Sequence, residues 1–377
     1  MTSGGSSVSS SGYIASLDGL RFVAFFLVYL HHSFYTGYDA LSYFQGNMWF
    51  GVELFFLLSG FLITRLLLAE RQQTGTISWK RYGMRRILRI WPLYFTVILL
   101  FSATGWFNYE DNYWPHFLSF MTFTNNIHSA FAGWPSSPVI SPLWTISSEE
   151  QYYLILPFLA GLAVTSRRAF LGVALAWLAI ALIFRFILIL EDVPYPAIWV
   201  FTPAKPEALL AGVAMAVYER ELLAFRWKWL VIGALTAVSV GILFFAGLLW
   251  VPGWHQAILF YGSAGLAAAM LWAVLSSSLL SVPLGWRPIA YLGRISFGLY
   301  VFHRLSMYLA DLLIPQIYDR DAVTANGWVM ADTGLWAQGF IIVFLITVGF
   351  AALSYQFLEK PFLKLKTRFE YIEGRPV

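Results

Sequence analysis

The 377 residues include no cysteine. A thiolate nucleophile, an acyl-cysteine intermediate, disulfides and cysteine metal sites are therefore all excluded. Charge is nearly as scarce: Asp, Glu, Lys and Arg make up 12% of the chain, against about 25% in a soluble globular protein. No Lys or Arg precedes the first apolar run and no small-residue cleavage site follows it, so the first run reads as an uncleaved span. Internal repeats are absent at the level of motifs. That counts against the repeat-built folds of many transporters.

What the chain has in abundance is apolar surface. Hydrophobic residues reach 59%, and the mean hydropathy is +0.66. Both values indicate an all-α polytopic membrane protein. Residues 1–12 are polar and read as a disordered tail. Apolar runs then recur near 17–34, 49–68, 87–106, 143–164, 169–190, 205–218, 229–251, 256–276, 288–314 and 336–358, about ten transmembrane helices in all. The run 205–218 is short and begins with Pro203 and Pro206, so it is expected to be tilted or broken. His116 to Ile127 is too short and polar to span and is expected at the interface or re-entrant.

Basic residues test this count. Arg71 to Arg89, Arg167 and Arg168, Arg220 to Lys228, Arg287 and the tail from Lys360 to Arg375 all fall on one side of a ten-helix arrangement. The opposite loops offer only Arg320, with Lys205 at a helix entrance. The positive-inside rule then puts both termini in the cytoplasm.

The organising stretch is Leu17 to Phe34, which carries Arg21 and, eleven positions later, His32. Eleven positions are about three helical turns and roughly 16 Å, so both side chains project from nearly one face. An arginine at a helix centre costs roughly 2.5 to 3.5 kcal/mol on insertion, so it normally faces protein or water and has a job. Orientation converts position into depth. Arg21, Arg65, Arg86 and Arg89 form a cytoplasmic cationic layer, and His32, Glu53, Glu149, Glu150 and His303 an outer one.

Arg86 and Arg89 stand three apart on one helical face, where two guanidinium forks can grip one phosphate cluster. A ligand with several phosphates and a long thin arm suits this layer, and coenzyme A is such a molecule. Arg85, Lys80 and Arg81 read as a plain positive-inside anchor. In the outer layer an imidazole near neutrality can take a proton from a hydroxyl, with Glu149 or Glu150 fixing its tautomer. Adjacent residues on a helix point about 100° apart, so one of the two glutamates is expected to face the site. Asp18 is expected to pair with Arg21, and His31 to be structural or interfacial.

These residues carry a resemblance. IASLDGLRFVAFFLVYLHH, GVELFFLLSGFLITRLL, KRYGMRRILRIWPLY, SPLWTISSEEQYYLILP, ISFGLYVFH and FLEKPF resemble the successive motifs of the acyltransferase type 3 family of membrane O-acyltransferases. The resemblance implies a membrane domain over 13–363, followed by a basic cytoplasmic tail at 364–377; some members carry an additional hydrolase-like domain, and a stand-alone form is expected here. The implied reaction moves an acyl group, usually acetyl, from cytoplasmic acyl-CoA to a hydroxyl. The acceptor is a surface glycan, a lipid-linked sugar or a macrolide, and the setting a bacterial inner membrane; neither metal nor nucleic acid is expected.

Residue by residue, the family's Arg and His fall on Arg21 and His32, its RxxR pair on Arg86 and Arg89, and its S-x-E-E-x-x-Y element on Ser147, Glu149, Glu150 and Tyr153. His32 is the expected general base, with Glu149 and Glu150 as catalytic partners. Arg21, Arg86 and Arg89 are the expected donor-binding cations, and Glu53, Tyr153 and His303 the substrate-binding set. Glu53 stands where many members have Asp, and Phe302-His303-Arg304 replaces a frequent Trp-His-Trp. A proton-coupled transporter with intramembrane His and Glu residues is the alternative class. The outer loop 107–142, flanked by Trp106 and containing Trp114 and Trp134, would suit stacking on sugar rings or interfacial packing equally.

Overall fold

A computed structural model describes residues 13–33, 39–105, 113–135, 137–193, 196–245, 253–313, 323–324, 327–328 and 333–370. The tail 1–12, Trp106, Arg320 and Arg375 lie outside the described residues.

The chain is helical almost throughout. In order, the helices are α1 (Ala15–His32), α2 (Asp39–Asn47), α3 (Gly51–Thr74), α4 (Trp79–Ala103), α5 (Tyr113–Met121), α6 (Asn125–Ala132), α7 (Trp144–Thr165), α8 (Arg167–Leu190) and α9 (Ala197–Val200). They continue as α10 (Glu207–Val217), α11 (Glu219–Ala224), α12 (Lys228–Phe245), α13 (Gln256–Ser276), α14 (Ser278–Leu284), α15 (Arg287–Arg294), α16 (Ser296–Leu313), α17 (Thr333–Ser354) and α18 (Lys360–Lys366). Among the described residues the one sheet is an antiparallel pair, Val323–Thr324 with Gly327–Trp328.

Among the described residues five segments are long and apolar enough to cross a membrane: Tyr43–Thr74, Trp79–Ala103, Arg167–Leu190, Gln256–Ser276 and Trp336–Phe369. The polar α1, with Asp18, Arg21 and two histidines, and α7, with two glutamates, are not in that set. Helix ends follow local chemistry. Gly75 closes α3 with φ +76°, its N–H reaching Arg71 O, and the Ser78 hydroxyl caps α4 by accepting from Arg81 N. The run 205–218, expected to be tilted or broken, is one continuous helix, and the interruption lies just ahead of it. α9 stops at Val200, a short 3-10 turn covers Thr202–Ala204, and α10 starts after Pro206.

α3 is the axis of the bundle, packing against α1, α7, α10 and α13. Its crossing with α10 is unusually close because both helices place glycine at the contact. A Cβ on Gly212 would lie 2.2 Å from Leu57 O, and one on Gly60 would lie 2.6 Å from Leu209 O. Small residues let membrane helices approach to backbone contact, which is where dispersion gains most. α1 lies against α3 on one side and α14, α15 and α16 on others, so a polar residue on it faces protein.

Candidate active site

Two cavities run into the bundle beside α1. The lower, about 220 Å³, is lined by Tyr13, Asp18, Arg21, Arg65, Glu70, Arg85, Arg86, Arg89, Lys366 and Glu370, with apolar residues from α1 and α3. The upper, about 60 Å³, begins at the same Arg21 and Arg89 and is walled by Phe55, Ser59, Thr145, Glu149, Tyr153, Phe297 and Tyr300. Arg21 and Arg89 thus stand where the two meet. Arg86 lies in the lower cavity, its guanidinium 5.6 Å from the centre of the Tyr153 ring. Among the described residues neither Arg86 nor Arg89 has a carboxylate partner, whereas Arg65 pairs with Glu219 at 3.1 Å and Arg85 with Glu70 at 2.7 Å.

Tyr13 and Glu370, near the two ends of the described chain, line this same lower cavity. Asp18, expected to pair with Arg21, accepts a hydrogen bond from the Tyr13 hydroxyl at 2.7 Å.

The two glutamates of α7 diverge as helical geometry requires. Glu149 lines the upper cavity and accepts from the hydroxyls of Ser59 and Tyr153. Glu150 turns towards α4, where Trp91 Nε1 donates to it at 3.4 Å. Ser147 and Gln151, on another face of α7, anchor α6: Ser147 donates to Asn125, and the Gln151 amide pairs with that of Asn126 at 2.8 Å.

Neither glutamate is the partner of His32. That expectation is corrected by a second imidazole: His303 Nε2 lies 3.0 Å from His32 Nδ1. His303 Nδ1 is 2.6 Å from the carbonyl oxygen of Tyr300, which can only accept, so that nitrogen carries the proton. In the neutral ring His303 Nε2 is then bare and accepts from His32 Nδ1–H, which leaves the lone pair on His32 Nε2. The role expected of a carboxylate, fixing the tautomer, falls to a backbone carbonyl acting through His303.

His32 and His303 do not themselves line the upper cavity; Tyr300, which does, links them to it. The Tyr300 ring packs 5.6 Å from that of His303, and its hydroxyl donates to Pro142 O at 2.9 Å while accepting from Thr145 at 2.9 Å. His31, expected to be structural, holds the following segment through Nδ1, 3.3 Å from Gln45 O.

Glu53 is not brought to this site. It points to the far side of α3 and lies 2.8 Å from Lys205 Nζ, with both side chains buried. The contact is close without hydrogen-bond alignment. The ammonium sits among the rings of Phe56, Trp144, Trp199 and Phe260, 4.7 to 5.3 Å from their centres. Beside it Arg185, fully buried in α8, pairs with Glu207 and donates to Ala204 O at 2.6 Å. Sequence reasoning passed over Arg185, although an arginine deep in an apolar helix was the available signal.

The described arrangement defines a predominantly helical integral membrane protein with a cation-lined cavity and, on the same first helix, an imidazole pair. Residues 14–356 match the family described as the acyltransferase domain, and the chain belongs to the acyltransferase type 3 family. It is similar to a putative peptidoglycan O-acetyltransferase of Bacillus subtilis, 26% identical over 372 residues, 93% of this chain and 55% of that protein. It is 24% identical over 390 residues to the peptidoglycan O-acetyltransferase OatA of Listeria monocytogenes, 94% of this chain and 56% of that one. A putative O-acetyltransferase of Staphylococcus aureus is 25% identical over 395 residues, 93% and 58% of the two chains. This chain therefore spans just over half the length of the curated relatives it matches. No solved structure matches it.

Proposed function

We propose that this protein moves an acyl group, acetyl by default, from cytoplasmic acyl-CoA to a hydroxyl of a cell-envelope glycan. The carrying observation is that α1 alone reaches both halves of the apparatus. It places Arg21 where the two cavities meet and His32 in the imidazole pair. Arg86, Arg89 and Arg21 grip the coenzyme's phosphates in the lower cavity, and the pantetheine arm follows the narrower upper one. His32 Nε2 takes the proton of the acceptor hydroxyl as its oxygen attacks the thioester carbonyl. Collapse of the tetrahedral intermediate expels the CoA thiolate, which takes that proton from the imidazolium, giving ester and free CoA. Glu149, with Tyr153 and Ser59, lines the path between the two groups.

The ten-span topology with both termini cytoplasmic belongs to this reading. The apolar runs all overlap helices, the run 288–314 being divided between α15 and α16, and the described ends of the chain meet at one cavity among arginines. Peptidoglycan is the acceptor favoured by the names of two relatives. The proposal is tested by supplying labelled acetyl-CoA to membranes containing the protein and following label into envelope glycan. His32→Ala should abolish transfer. Label that accumulates on His32 without acceptor would instead favour a covalent acyl-imidazole relay, and transfer that survives the substitution would contradict the assignment of the base.

A further inference from the structure

The end of the chain supplies part of the lower cavity's wall. After α17 the helix widens into a π turn at Tyr355–Glu359, continues as α18 and ends in a 3-10 turn at Thr367–Phe369. Arg85 of α4 fixes that turn, donating from Nη1 to Phe369 O at 3.0 Å while Nη2 pairs with Glu70. Glu70 is itself buried and accepts from the backbone N–H of Ser78 at 3.0 Å. One carboxylate therefore ties together α3, the start of α4 and the last turn. Arg85, which reads in sequence as a plain anchor, is a clamp.

The clamp sets Lys366 and Glu370 into the same wall as Arg21, Arg86 and Arg89. Lys366 is 9% exposed, and its Nζ lies 2.8 Å from Glu370 one turn on. Such pairs are common on solvated helix surfaces, where they contribute little. This one is buried beside arginines that repel the ammonium, an arrangement that helix packing alone does not call for. Six cationic side chains and three carboxylates line the cavity, so it keeps an excess of positive charge. An ammonium has three donors, enough to hold Glu370 with one and offer another to an incoming anion.

We propose that Lys366 is a phosphate-contacting residue of the donor site, held in position by Glu370 and by the Glu70–Arg85 clamp. This rests on the acyl-CoA reading, and the ligand class is the phosphate-bearing nucleotide end of the coenzyme. The α18 segment is then part of the donor site rather than a tail beyond it.

The test is titration calorimetry of the full chain in detergent with CoA at one ionic strength. Lys366→Gln should weaken binding roughly 10- to 100-fold, the loss expected for one charge-assisted hydrogen bond. Lys366→Arg should stay within about threefold, and Lys364→Gln, on the exposed side of the same helix, should change nothing. The double variant Lys366→Gln with Glu370→Gln keeps the pair neutral and hydrogen-bonded, and should bind as weakly as Lys366→Gln; binding restored to the unaltered level would overturn the proposal. So would Lys366→Gln binding within about twofold of the unaltered chain while Arg89→Gln is clearly weaker, an outcome that leaves the acyl-CoA reading standing. If the unaltered chain binds no CoA, both fall.

Discussion

In the proposed reaction His303 is the residue that sets the tautomer of His32. With its Nδ1 committed to Tyr300 O, it can present only a bare Nε2 to His32, and the lone pair of His32 is thereby directed to Nε2. His303→Leu should forfeit part of the roughly 10²- to 10⁴-fold that a positioned base supplies, lowering kcat while leaving CoA affinity unchanged. His303→Gln should retain more activity, because an amide oxygen can still accept from His32 Nδ1–H. Equal activity of the Leu and Gln variants would remove the tautomer argument. Part of this was legible in the sequence. The eleven-residue spacing of Arg21 and His32 placed both on one face of one helix, and the Glu149–Glu150 pair implied that one carboxylate would turn away. The partner of the imidazole was not legible, because His303 lies 271 positions from His32 and no local periodicity records such a contact. Glu53 was misplaced for a related reason: sequence gives depth in the bilayer but not the direction of a side chain around the helix.

At the scale of elements, the broken α9–α10 segment is held by buried charge. Lys205 lies at the break, between Glu53 of α3 and a cage of aromatic rings, and Arg185 reaches Ala204 O and Glu207 across the same break. Prolines end the helix there and leave carbonyls unpaired, which explains why an arginine is retained at such depth. Lys205→Met should destabilise the fold by about 3 to 5 kcal/mol by stranding Glu53. Lys205→Met combined with Glu53→Leu should recover most of that in thermal unfolding; no recovery would show that the aromatic cage needs the cation itself. Gly212→Ala belongs to the same element, and the 2.2 Å approach to Leu57 O means that α10 must shift away from α3, lowering the melting temperature.

A pH dependence of stability is expected at α5 and α6. The rings of His116 and His128 lie 4.5 Å apart, and burial lowers the pKa of both, with His128 lowering that of His116 further. The unfolded imidazoles therefore take up protons first as pH falls below about 6.5. Stability present above that pH should decline below it. Unfolding followed from pH 7.5 to 5 should show the loss, and the double substitution of both histidines by Gln should reduce it.

For the molecule as a whole, the class was plain from composition, since a chain 59% hydrophobic and 12% charged has nowhere to fold but a bilayer. The route through it was not plain. It depends on α1 lying between α3 and the α15–α16 segment, and on the last described helix folding back to the cavity where the first begins. The central claim is a division of labour along this path, with phosphates held at one end and the proton taken at the other. The most direct measurement sets CoA affinity beside acetyl transfer in two single variants of the purified chain. His32→Gln should bind CoA as the unaltered protein does and transfer nothing, whereas Arg89→Gln should bind CoA roughly tenfold or more weakly and regain transfer at high acetyl-CoA. Transfer by His32→Gln at an ordinary rate, or unchanged affinity in Arg89→Gln, would contradict it.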